Sequence, residues 1–169
     1  MNTELNTVTS FAPIADGSAR VLILGSMPGI RSLQTGQYYA HPRNAFWPIM
    51  AHLYGFNSGS PHDARVDALK ASGIAVWDVL RECVRPGSLD SAIEKGSRVP
   101  NDFVSFFATY PGIRLIAFNG AEAATSFNRY VLPNAAPLDV RFARLPSSSP
   151  AHAVALEKKI AAWQQALTL

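Results

Sequence analysis

Apolar and polar positions fall in alternating blocks along the chain. Arg20–Gly25 carries the run Val21-Leu22-Ile23-Leu24, short, β-branched and closed by glycine, which predicts a buried strand. A polar loop, Ser26–Arg43, comes next. Asn44 is placed to cap a helix running to about Gly55, with Pro48 tolerated in its first turn. His62–Ser72 predicts an amphipathic helix ending before Gly73, and Ile74–Leu80 a second strand. Asn101–Tyr110 predicts a short aromatic-rich helix, capped by Asn101 and stopped by Pro111. Ile113–Phe118 is a third buried strand and Gly120–Val131 a helix. Leu138–Leu145 is a fourth strand, and Ala153–Leu167 a closing helix whose Glu157, Lys158 and Lys159 face water.

Strands separated by helices imply an α/β fold with a mostly parallel sheet and helices on both faces. In such sheets ligands sit outside the carboxyl ends of the strands. The unusual loops fall there: Ser26–Arg43, Asn119-Gly120 and Pro146–His152. A chain of 169 residues suits one domain, 1–169, with 1–18 as a peripheral N-terminal segment.

Composition narrows the classes. Apolar residues make up 48% and charged ones 16% of the chain, below the roughly one quarter charged of an average domain, so the chain is globular and not disordered. Fifteen basic residues against twelve acidic ones leave +3, a mild excess compatible with a polyanionic partner. The single cysteine, Cys83, excludes an internal disulfide and a cysteine-based metal site, in keeping with a reducing cytoplasm. The apolar runs fall far short of the roughly 20 residues that span a bilayer, and MNTELNTVTS lacks the regions of a signal peptide. Four histidines (His41, His52, His62, His152) show no ligand spacing, so neither a metal nor a cofactor is expected.

Each loop carries two readings. In GSMPGIRSLQTGQYYAHPRNAFW, Gly25, Gly29 and Pro28 hold backbone close to a ligand or to a neighbouring helix, and neither the dinucleotide nor the P-loop fingerprint is present. Tyr39, His41, Arg43, Asn44, Phe46 and Trp47 bring rings, charge and an amide together, suited to stacking a base and holding a phosphate; equally, Phe46 and Trp47 suit a core and Asn44 a cap. Ser147, Ser148 and Ser149 could grip a phosphate at the positive end of the closing helix, or Ser149 and Pro150 could simply begin that helix. Asn119 could read two edge atoms of a base, or start a turn.

Taken in order, GSMPG, YYAHPRNAFW, GIAVWDVL, GSLDSAI, PNDFVSFF, FNG and LPSSSPAHA resemble the uracil-DNA glycosylase superfamily, and most closely its hypoxanthine-DNA (deoxyinosine) glycosylase branch. The resemblance covers most of residues 20–165, and HPRNAFW is its specific part. It implies a three-layer αβα sandwich around a four-stranded parallel sheet. It also implies a monofunctional enzyme that flips a deaminated base out of DNA and hydrolyses its N-glycosidic bond. The implied partners are damaged double-stranded DNA, with single strands left open, and downstream abasic-site repair enzymes; the protein is expected as a cytoplasmic monomer at the nucleoid.

Carried over residue by residue, Phe46 looks like the ring that stacks the flipped base, Asn119 like the amide that reads its edge, and Asn44 like the catalytic residue. Gly25, Ser26, Met27, Gly29 and Tyr39 line the base site. His41, Arg43, Ser147, Ser148, Ser149, Ala151 and His152 contact DNA, with Ala151 or His152 near the wedge position. Met27 stands where many members carry Asp or Asn, and Leu145 where some carry His, so the usual route to uracil removal lacks its groups. Gly29 replaces a tyrosine that excludes bulky bases, which agrees with a purine; the branch itself is expected to carry Met at position 27 and Asn at position 152. A uracil- or xanthine-directed mismatch glycosylase, a non-catalytic binder of damaged DNA and an unrelated nucleotide-binding domain are the alternatives.

Overall fold

The computed structural model describes residues 6–135 and 137–168. In chain order its elements are β1 (Thr7–Thr9), β2 (Val21–Gly25), α1 (Ile30–Thr35), α2 (Phe46–Tyr54), α3 (His62–Ala71), β3 (Ile74–Asp78) and β4 (Leu80–Val84). They continue with β5 (Val99–Pro100), α4 (Phe103–Thr109), β6 (Leu115–Asn119), α5 (Ala121–Ser126), β7 (Arg141–Leu145) and α6 (Leu156–Leu167).

Strands β3-β2-β6-β7 form a four-stranded sheet, parallel throughout. Successive side chains of a strand point to opposite faces, and this sheet is covered on both, which is why the runs of β2, β3 and β6 are continuously apolar. Val21, Ile23, Ile74, Val76, Leu115 and Ala117 pack under α2, α3 and α6. Leu22, Leu24, Ala75, Trp77, Ile116 and Phe118 pack under α4 and α5. The result is the three-layer αβα sandwich expected. Register places Gly25 beside Asp78 and Asn119 beside Leu145, so the carboxyl ends of all four strands meet along one edge.

Several boundaries differ from the sequence reading. The apolar run from Ile74 to Leu80 is two strands: β3 stops at Asp78, and Leu80–Val84 turns away into a small antiparallel sheet, β1-β4-β5. The turn is held by the Val79 and Leu80 amides, which donate to the Gly25 and Ser26 carbonyls at 2.8 and 3.1 Å. Residues 7–14 are not peripheral. Thr7–Thr9 pairs with β4, and Ile14, buried, bridges to Val76; residues 1–5 lie outside the described residues. Asp102, not Asn101, caps α4, its carboxylate accepting from the Ser105 amide at 3.1 Å. Ser26–Arg43 contains α1, and the helix from Gly120 loosens into a π turn at Phe127–Val131. The last strand begins at Arg141 and the last helix at Leu156, later than Leu138 and Ala153. Among the described residues no helix is long and apolar enough to cross a membrane.

Candidate active site

A cleft of about 730 Å³ opens at the carboxyl edge of the parallel sheet, within the roughly 300–1,000 Å³ usual for small-molecule sites. Its lining joins the loop after β2, Asn119 at the end of β6 and the Ser147–His152 loop, as the sequence predicts, and adds Asp78 and the Ser88–Ser91 turn, which the sequence reading missed.

One wall is built on Asn119. Its Oδ1 accepts from the Ser148 amide at 2.9 Å, and its Nδ2 donates to Ser148 Oγ at 2.9 Å and to Tyr39 Oη at 3.2 Å. An amide that is already committed on both ends holds loops together before it can read anything else. The Ser148 carbonyl in turn accepts from the Ala45 amide at 2.9 Å, and the Pro146 carbonyl from Trp163 Nε1 at 2.9 Å. The serine loop therefore does not start the last helix. Its phosphate-gripping position at a helix N-terminus is corrected: α6 begins beyond it, at Leu156, and Ser149 and Pro150 are neither cap nor first turn. Lys159, expected in water, is buried, and its Nζ donates to the Ser149 carbonyl at 3.2 Å. Ala151 and His152 are exposed at the lip.

The ring that faces this cleft is Tyr39, not Phe46. Phe46 is fully buried and absent from the lining, so as placed it cannot stack a base; Tyr39 lies over it with ring centroids 4.1 Å apart at 22°. Tyr39 adopts a left-handed backbone, φ 53°, rare for a non-glycine residue. Burial keeps its hydroxyl protonated. Trp47 is a core residue, its Nε1 donating to the Tyr38 carbonyl at 2.9 Å.

The opposite wall is acidic. Asp78 ends β3 with 3% exposure and lines the cleft. Neither carboxyl oxygen takes a hydrogen bond among the described residues, and Oδ2 is buried. Desolvation pushes this carboxyl up to about 7, the nearby Asp90 charge adds to the rise, and the Arg85 guanidinium opposes it. Asp90 accepts from Ser26 Oγ at 2.6 Å, and desolvation outweighs that bond, so its pKa also rises. Arg85, buried, donates to the Met27, Pro28 and Gly87 carbonyls and fixes the GSMPG loop to the turn beyond β4. Gly25 separates the walls: a Cβ there would lie 2.6 Å from Asp78 Oδ1 and 2.9 Å from Tyr39 Oη, so only glycine fits. Gly29, by contrast, has room, since a Cβ would meet only Ser88, at 3.5 Å. Met27 and Leu145 are buried.

Asn44 lies between the cleft and a smaller hollow of about 260 Å³ that it shares with Arg43, Pro150, His152 and Lys159. Ala45, not Asn44, is the N-cap of α2 and makes no side-chain cap bond. Asn44 precedes it, its Oδ1 accepting from the Phe46 amide at 3.0 Å, and its Nδ2 has no hydrogen-bond partner among the described residues. His41 and Arg43 are exposed beside it, with His41 Nδ1 accepting from the Arg43 amide at 3.1 Å. Two exposed basic side chains at the lip and a donor within the cleft suit a ligand carrying phosphates outside and a planar group inside.

Comparison with known proteins gives the family and the fold. The family model for the uracil DNA glycosylase superfamily matches residues 12–168. A relative from Methanosarcina acetivorans named hypoxanthine DNA glycosylase is 34% identical over 143 residues, covering 79% of this chain and 89% of the relative. One of the same name from Methanosarcina barkeri is 36% identical over 114 residues, covering 67% of this chain and 71% of the relative. The solution NMR structure of a Methanosarcina acetivorans protein, described as a candidate uracil DNA glycosylase, superposes with a TM-score of 0.77 at 29% identity, over 96% of this chain and 99% of that one.

Proposed function

The chain belongs to the uracil DNA glycosylase superfamily, and from that premise we propose a monofunctional deoxyinosine glycosylase that extrudes hypoxanthine from DNA, hydrolyses its N-glycosidic bond and leaves an abasic site for base excision repair. The observation that carries the catalytic assignment is Asn44. Its oxygen is pinned to the start of α2, and its amide nitrogen is left as a fixed donor at the cleft.

The chemistry asks for such a donor. Unstacking a nucleotide costs a few kcal/mol, least for a mispaired base, and a pocket must return stacking and edge contacts. Breaking the bond leaves an oxocarbenium-like sugar and an electron-rich base, and a donor already in place stabilises that charge without reorganising. The bond from the Phe46 amide to Oδ1 favours Asn44 acting through its nitrogen, on the leaving base or on the attacking water. Tyr39 supplies the ring against which the base stacks, with Phe46 as its support. The room at Gly29 supports a purine over a pyrimidine. The described lining of the main cleft contains no lysine, and the Lys159 ammonium of the adjoining hollow is engaged with the Ser149 carbonyl, which supports water as the nucleophile and hydrolysis without strand cleavage. On this reading His41, Arg43 and the Ser147–His152 lip hold the duplex, the protein works as a monomer, and its product passes to enzymes that process abasic sites.

Single-turnover incubation of a labelled deoxyinosine duplex, followed by alkali, tests the assignment. Wild type gives alkali-labile sites, and Asn44→Ala loses at least tenfold in rate with unfolding temperature retained. An unchanged rate removes Asn44 from the chemistry. Tight binding with no cleavage by wild type makes the protein a binder of damaged DNA.

A further inference from the structure

The Asp78 carboxyl has no role in the scheme above. Buried polar groups are almost always hydrogen-bonded, and a carboxyl deprived of partners costs stability unless something fills the space before it. Asp78 lines the cleft with a buried, unpartnered Oδ2, beside the glycine whose missing Cβ leaves room for both its carboxyl and Tyr39 Oη. Neighbouring Asn119 spends its amide on Ser148 and Tyr39, so Asp78 is the strand-end group left to meet a base.

Resting on the deoxyinosine reading, we infer that Asp78 is a second catalytic residue, a carboxylic acid that delivers its proton to the imidazole nitrogen N7 of the extruded purine. Pyrimidines have no such nitrogen, so the same group selects purines. In the step, the Asp78 O–H bond breaks and an N7–H bond forms. The C1′–N9 bond breaks with its electron pair passing to the base, which departs as neutral N7–H hypoxanthine. Water bonds to C1′ and releases a proton to solvent, from which Asp78 is recharged. No redox change and no further reactant is involved. The groups facing the carboxyl are Tyr38 and Tyr39 from the loop after α1, Asp90 from the turn beyond β4, and Arg85. Their balance leaves the acid form populated up to about pH 7.

The test compares deoxyinosine with 7-deazadeoxyinosine, in which carbon replaces N7, in otherwise identical duplexes under single turnover. Asp78→Asn, which keeps shape and removes the transferable proton, is run beside wild type. A general acid of this kind is worth about 10²–10⁴-fold. Wild type should therefore prefer deoxyinosine by about 100-fold or more, and the preference should shrink sharply in Asp78→Asn. The wild-type rate should fall as pH rises through about 7, where the proton is lost, and the variant's rate should not. A preference unchanged by the substitution, or a wild-type rate that climbs through pH 7, overturns the inference while leaving the glycosylase reading intact. Wild type inert on deoxyinosine overturns both.

Discussion

The two walls of the cleft are made from strand ends on either side of β2 and treated oppositely. At the end of β6, Asn119 has both ends of its amide engaged, tying the serine loop to Tyr39. At the end of β3, on the far side of β2, Asp78 is buried with no partner among the described residues and with Asp90 close enough to raise its pKa further. Satisfied hydrogen bonds build scaffold, whereas a buried group left unsatisfied costs about 1–3 kcal/mol and persists where function uses it. The Asn119 wall holds the cleft's shape; the Asp78 wall, with the Asn44 donor, is where its chemistry belongs.

That contrast makes predictions of graded size. Phe46→Ala removes the fully buried support under Tyr39 and should cost about 3–5 kcal/mol in denaturant unfolding; a small cost with lost base engagement would return Phe46 to the cleft surface. Asn119→Ala breaks three hydrogen bonds and should cost about 2–3 kcal/mol. If instead it leaves stability untouched and only blurs base choice, Asn119 reads bases and is not scaffold. Asp78→Asn should stabilise the free protein. Folding raises this carboxyl from 3.8 to about 7, so between those values the folded state binds the extra proton and wild-type stability falls as pH rises. Asparagine abolishes that loss but leaves an unpartnered amide, for a net gain on the order of 2 kcal/mol at pH 8 that fades toward pH 5. No gain at pH 8 would mean that water or a neighbour already satisfies the carboxylate.

The sequence made much of this visible, for reasons that also explain what stayed hidden. Strands β2, β3 and β6 show as apolar runs because both faces of the sheet are covered, and their loops converge because parallel strands end on one edge. Asn44 is legible because a helix starts just after it at the mouth of the sheet, although Ala45 and not Asn44 is the N-cap. Asp78 is hidden within GIAVWDVL because apolarity resumes through Val79 and Leu80, masking both the end of β3 and the turn into the second sheet. Its burial and its lack of partners exist only in three dimensions. Which rings of YYAHPRNAFW reach the cleft depends on a loop backbone that includes the left-handed Tyr39, which no periodicity reveals. Lys159 looks like a solvated charge beside Glu157 and Lys158, and only the packing of the serine loop against α6 covers it.

The central claim is that this cleft removes a deaminated purine. The most direct measurement is the single-turnover rate of wild type on matched duplexes carrying one deoxyinosine, one uracil or one deoxyxanthosine, read after alkali treatment. The account predicts cleavage at deoxyinosine, with uracil slower by orders of magnitude. Cleavage confined to uracil would keep the superfamily and contradict the purine site built around Gly29 and Asp78.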